Sequence, residues 1–145
     1  MPDTERTFTV AAPVEVVWDY LKDFGRAEAW DPGTKSCTRE GSGPIAAGAH
    51  WHNVSVVAGR ETTLDYRLER LVPNRLTFVG ENKTATSIDD ITLSPAADGA
   101  ATQITYKSHI VFHGLAKLAG PFFARTFQQL GDQTQANLIR IINAL

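Results

Sequence analysis

Cysteine occurs once in this 145-residue chain, at Cys37. That excludes an internal disulfide framework and fits a reducing compartment. No apolar run approaches the roughly 20 residues that a membrane-crossing helix needs. No charged-then-apolar leader opens the chain. Strong charge of one sign is missing as well. The formal net charge is -2, and the basic residues are scattered, so neither nucleic acid nor a membrane surface is expected as a partner. The expectation is a soluble cytoplasmic protein, one domain over residues 1–145, long enough to bury a core. Composition does not address the oligomeric state.

Catalytic and cofactor signatures are equally scarce. The chain has no HExxH or cysteine-rich metal motif, no GxSxG elbow and no GxGxxG loop. Gly41-Ser42-Gly43-Pro44 lacks a lysine and reads as a turn. His50 and His52 share one strand face, and His109 and His113 share another. A catalytic zinc site needs about three protein ligands in tight geometry, so neither a metal nor a cofactor is expected. Cys37 stands in a predicted strand without a local motif and reads as a small buried thiol.

What the chain does have is a long amphipathic C-terminal segment, Leu115 to Leu145. Ala116, Ala119, Phe123, Phe127, Leu130, Thr134, Leu138, Ile141 and Leu145 recur at three- and four-residue steps and predict one apolar helix face. Lys117, Arg125, Gln128, Asp132, Gln135 and Arg140 occupy the other. Gly120-Pro121 predicts a kink or a restart. Gly131 costs the helix about 1 kcal/mol relative to alanine and would let a sheet approach closely. Leu115, Leu118 and Phe122 fall off the main stripe. They require either a kink or a second apolar surface, with a pocket entrance and a partner protein as the candidates.

The rest of the chain reads in order. Thr4 to Ala11 alternates as a first strand. Ala12-Pro13 opens a helix whose stripe is Val14, Val17, Trp18 and Leu21, with Trp18 expected in the core. A second short helix is predicted around Arg26 to Trp30, closed by the turn Asp31-Pro32-Gly33. From Thr34 the helical period disappears. Strand-length runs follow at Lys35–Glu40, Ala49–Val57, Glu61–Leu71, Arg75–Gly80, Thr86–Ser94 and Ala101–Phe112, separated by turn signals. Period two puts Leu64, Tyr66 and Leu68 on one face, and likewise Leu76 with Phe78, Ile91 with Leu93, and Ile104 with Tyr106, Ser108, Ile110 and Phe112. His109 falls on the wet face. In Ala49–Val57 the two faces are balanced, and Trp51 is expected at solvent or an edge.

Strand, two helices, six-strand meander and long C-terminal helix resemble the SRPBCC superfamily, the START-like or helix-grip proteins. "AAPVEVVWDYLKDFGRAEAWDP" is similar to that family's opening, with its "VW" helix and Trp-x-Pro turn. "RLERLVPNRLTFV" resembles its hairpin, and Asp98-Gly99 with Thr102 to Ser108 its penultimate element. The likeness covers essentially the whole chain and is nearest to the polyketide cyclase and dehydrase branch. It implies an α+β helix-grip fold, with a seven-stranded curved antiparallel sheet around the C-terminal helix and two short helices after the first strand.

The resemblance further implies a cavity between the apolar sheet face and the helix. Its expected lining is Tyr66, Phe78, Ile91, Tyr106, Ser108, Phe123, Phe127 and Leu130. Tyr66 and Tyr106 offer hydroxyls in an apolar wall, either as core tyrosines or as ligand contacts. Ser87 and Asp89 fall in phase with Ile91 and Leu93. The expectation nevertheless is that the strand starts later and Asp89 is solvated; a buried carboxylate there would have a raised pKa and could move protons. The leading functional reading is non-catalytic binding of a small hydrophobic molecule, lipid or polyketide-like. An aromatic cyclase or dehydrase using Tyr66, Tyr106 or Asp89 is the second. A protein-interaction or toxin–antitoxin component using Leu115, Leu118 and Phe122 is the third.

Overall fold

The computed structural model describes residues 3–145. Its seven strands are β1 (Asp3–Val10), β2 (Thr34–Glu40), β3 (His50–Val57), β4 (Arg60–Val72), β5 (Arg75–Glu81), β6 (Ala85–Ala96) and β7 (Ala101–Phe112). They form one antiparallel sheet in the order β1-β7-β6-β5-β4-β3-β2. The meander β2 to β7 follows from short turns, which can only join antiparallel neighbours. β1 returns to pair with β7, Phe8 opposite Ile104. β1 and β2 therefore hold opposite edges, and the chain between them must cross the sheet. It does so as α1 (Val14–Leu21), a 3-10 turn at Phe24–Arg26 and α2 (Ala27–Trp30).

The C-terminal segment restarts at the predicted point. A 3-10 stretch, Gly114–Ala119, gives way to α3 (Gly120–Asn143), with Pro121 in the first turn, where its missing N–H leaves no bond unmade. α3 packs on β1 and α2. Gly131 permits that approach. A Cβ there would lie 3.3 Å from Arg6 Nη2 and 3.4 Å from Thr4 Cβ. Only the last turns of α3 reach the core, through Leu138 and Ile142. The stripe is thus rotated from the expected Ile141–Leu145 line, and Leu145 is exposed. This arrangement of sheet, crossing helices and gripped helix is the helix-grip fold.

The core fills one end of the sheet's inner face. Phe24, from the 3-10 turn, is its hub, with ring centroids 4.5 Å from both Tyr66 and Phe78, 6.0 Å from Trp30 and 6.2 Å from Trp51. Aromatic pairs at such separations add about 0.5–1.5 kcal/mol each beyond area burial.

Two expectations are corrected here. Trp51 is fully buried, not at solvent; its indole N–H donates to Asp23 Oδ1 at 3.1 Å, tying β3 to the 3-10 turn. The inner face of β3 is Trp51, Asn53, Ser55 and Val57, with Asn53 buried and bonded to Thr34 and Ser55. Trp18 lies at the core margin, partly buried, donating to the Val72 carbonyl at 3.1 Å beneath the Lys22 ammonium. Tyr20 takes the buried place on α1.

Candidate functional site

Beyond Phe24 and Trp30 the inner sheet face is not covered. The first half of α3 stands off from it and encloses a cavity of about 930 Å³. That lies within the usual size range for small-molecule sites, roughly 300–1,000 Å³.

Each central strand runs from core into cavity. On β6, Leu93 and Ile91 are core, while Asp89, Ser87 and Ala85 line the cavity. On β7, Ile104 is core and Tyr106, Ser108, Ile110 and Phe112 line it. On β4, Leu68 gives way to Tyr66 and Leu64. Strand register aligns these changes. Asp89 sits opposite Ser108 on β7 and Phe78 on β5. Tyr66 sits opposite Gly80, which sits opposite Ser87. A polar band therefore crosses the sheet where the core ends.

Of the expected lining, Tyr66, Tyr106, Ser108, Phe123, Phe127 and Leu130 border the cavity. Phe78 and Ile91 do not: both are fully buried in the core one step nearer the crossing helices. Period two assigned their face correctly but cannot say where along a strand the core stops. Residues outside the expected lining also contribute. Asp31, Gly33, Ser55, Ser87 and Asp89 lie on the wall, as do Arg6 and Thr4 of β1.

The floor is polar. Asp89 is 6% exposed, which overturns the expectation that it is solvated, because β6 begins at Ala85 and carries it inward. Tyr106 donates its hydroxyl to Asp89 Oδ1 at 3.1 Å. Burial pushes the Asp89 carboxyl up to about 7, and the nearby Asp31 charge adds to the rise; hydroxyls of Tyr106, Ser108 and Tyr66 bonding to it pull the other way. Asp31 is also raised, chiefly by burial, against hydrogen bonds from the Gly33 N–H at 3.0 Å and the Thr34 hydroxyl at 2.9 Å. The Asp-Pro-Gly turn was visible in sequence as a turn, but not as the device that delivers a carboxylate. Tyr66 and Tyr106 hydroxyls are pushed well above their ordinary value, first by burial and then by Asp89, so both stay protonated donors.

The mouth is apolar on its C-terminal side, while Arg60, Glu61, Asn82 and Thr84 line the strand side. Phe112, Phe123 and Phe127 form a chain of rings 6.3 and 6.1 Å apart. Leu115, Leu118 and Phe122 stand at the rim, 89%, 74% and 85% exposed. The off-stripe residues thus border the cavity entrance.

Chemistry elsewhere is thin. Cys37 is buried and its thiol is pushed up to about 12, mainly by burial, so it is inert as a nucleophile. Among the described residues, Glu40, His52 and Asp65 bring possible ligand atoms within 4.8 Å, all exposed on the outer sheet face. His109 is bonded to Asp3 and His113 to Thr86. No helix among the described residues is long and apolar enough to cross a membrane.

Solved structures share this architecture. A START superfamily protein from Mycobacterium smegmatis superposes with a TM-score of 0.72 at 14% identity, over 98% of this chain and 94% of that one. A protein from Thermus thermophilus gives 0.80 at 16% identity, over 99% and 98%. An aromatase/cyclase from Streptomyces sp. R1128 gives 0.72 at 17% identity, over 98% and 91%. At such identities the likeness is one of fold. No curated protein matches the chain in sequence. The model of one family matches residues 1–142. With that match and this fold, the chain belongs to the family described as polyketide cyclase / dehydrase and lipid transport.

Proposed function

We propose that this protein binds a small, largely apolar molecule, lipid or polyketide-like, between the sheet and α3. The observation that carries this is the graded cavity, with aromatic and aliphatic side chains along the α3 side of the mouth and hydroxyls and carboxyls on the floor. An apolar body would lie against Phe123, Phe127 and Leu130. A polar end would meet Tyr66, Tyr106 and Ser108. The family description supports this reading. Native mass spectrometry of protein purified from its own host tests it. A discrete co-purifying apolar mass is expected. A clean unliganded mass, together with no uptake of a neutral apolar dye, would overturn it.

One observation favours turnover of that ligand as a second reading. Asp89 is poised near neutrality beside two protonated tyrosines, all three buried on the cavity floor. A carboxyl with that affinity can take a proton from carbon beside a carbonyl and return it to a departing hydroxyl, releasing water. Loss of turnover in Asp89→Asn at saturating ligand separates catalysis from binding.

A further inference from the structure

We propose that the ligand carries a protonated amine at the end that reaches the cavity floor. The inference rests on the binding function proposed above and names the charge of the ligand.

Two carboxyl groups share the wall, Asp31 and Asp89. Their protein partners are all neutral. Asp31 accepts from the Gly33 N–H and the Thr34 hydroxyl. Asp89 accepts from the Tyr106 hydroxyl and is also bonded by the Ser108 and Tyr66 hydroxyls. Hydroxyl and amide donors orient a carboxylate but do not cancel its charge. Each carboxylate offers roughly four lone-pair sites, so both keep acceptor capacity. Buried charges are ordinarily paired, because an unpaired one loses its hydration without recompense.

The cations of the wall do not fill that role. Among the described lining residues they are Arg6 and Arg60. Arg6 turns its guanidinium towards α3. Nε donates to Asp132 at 2.9 Å, Nη1 to the Glu5 carbonyl at 2.9 Å, and Nη2 to the Gln128 carbonyl and side-chain oxygen at 3.0 and 3.1 Å. Arg60 is exposed at the rim, where β4 begins. It stands beside Glu61, which also lines the rim and is paired with Lys35. No histidine lines the cavity among the described residues. The floor is therefore an anionic site without a protein counter-ion. An ammonium brings three donors and a compensating charge. A ligand carboxylate would be repelled by both aspartates.

The test compares three octyl chains that differ only in the head: n-octylamine, n-octanol and octanoate. Each displaces the neutral dye N-phenyl-1-naphthylamine from the full chain at about pH 8, where Asp89 is ionised and the amine still protonated. Octylamine is expected to bind at least about tenfold tighter than octanol, with octanoate weakest. The preference should shrink as pH falls through about 7, because Asp89 takes up its proton there. Asp89→Asn should cut it to under about threefold. If that variant fails to fold, the wild-type pH series carries the same test. Octanol binding as tightly as octylamine at the higher pH, or a preference indifferent to pH, overturns the amine inference and leaves apolar binding standing. If the dye and all three chains fail to bind, the binding function falls and the inference with it.

Discussion

Asp89 and its neighbours set the properties that single substitutions will report. The Asp89 carboxyl is raised in the folded protein to about 7 from an ordinary 3.8. Between those values the folded state holds a proton that the unfolded chain has released. Stability therefore falls as pH rises from about 4 to about 7 and stays low above it. The cost at the upper end is at most about 4 kcal/mol from this group, and Asp31, also raised by burial, works in the same direction. Asp89→Asn should accordingly raise the denaturant midpoint at about pH 8 and change it little near pH 4. A midpoint gain equal at both values would show that Asp89 is not the titrating group. Tyr106→Phe removes a donor to the carboxylate. It should push the Asp89 carboxyl further up and destabilise by about 2 kcal/mol where Asp89 is charged, as read from the side-chain carbon shift and chemical denaturation.

Gly80 gives a steric prediction at the same scale. Its missing side chain makes room for the Tyr66 ring, whose Cζ would lie 2.6 Å from an added Cβ. Three ring atoms fall within 2.7 Å, and the ring is hemmed by Phe24 behind it. Gly80→Ala should cost about 1–3 kcal/mol and displace Tyr66 from the cavity wall, weakening dye binding as well. A stability change under about 0.5 kcal/mol would mean that the ring has space to move. None of this was legible in the sequence. There Gly80 ended a strand and Tyr66 was one of two tyrosines expected on the cavity wall, and only cross-strand register puts one over the other.

At the scale of elements, strand and helix periodicity carried most of the architecture. The two-residue alternation and the turn signals located every strand to within two residues, and Gly120-Pro121 marked the restart of α3. The alternation failed only on β3. Its inner face mixes Trp51 with Asn53 and Ser55, because it passes from core to cavity. Balanced polarity on both faces was thus the trace of a site, read as an edge. The segment Leu115–Phe122 yields the prediction for this scale. Its apolar side chains are exposed in the unliganded protein, so Leu118→Ser with Phe122→Ser should shift folding stability by no more than about 0.5 kcal/mol per substitution. Apolar dye binding should weaken, since these residues form the rim. Global unfolding of the double variant would instead place the segment in the core.

At the scale of the whole molecule, the chain's own pattern determined the order of elements, the antiparallel meander, the inward face of most strands and membership of a helix-grip family. Those properties depend on local periodicity and turn chemistry, which a linear sequence records directly. The tertiary structure alone decided where the core ends. α3 is held against β1 by Gly131 and the Arg6 bonds to Gln128 and Asp132, and its first half stands clear of the sheet. The crossing helices and Phe24 cover Phe78 and Ile91, while that standoff leaves Tyr66 and Tyr106 bordering the cavity. Asp31 and Asp89 are 58 residues apart in the chain. Their coupling arises from the path of α1 and α2 across the sheet, a distance that no local pattern encodes.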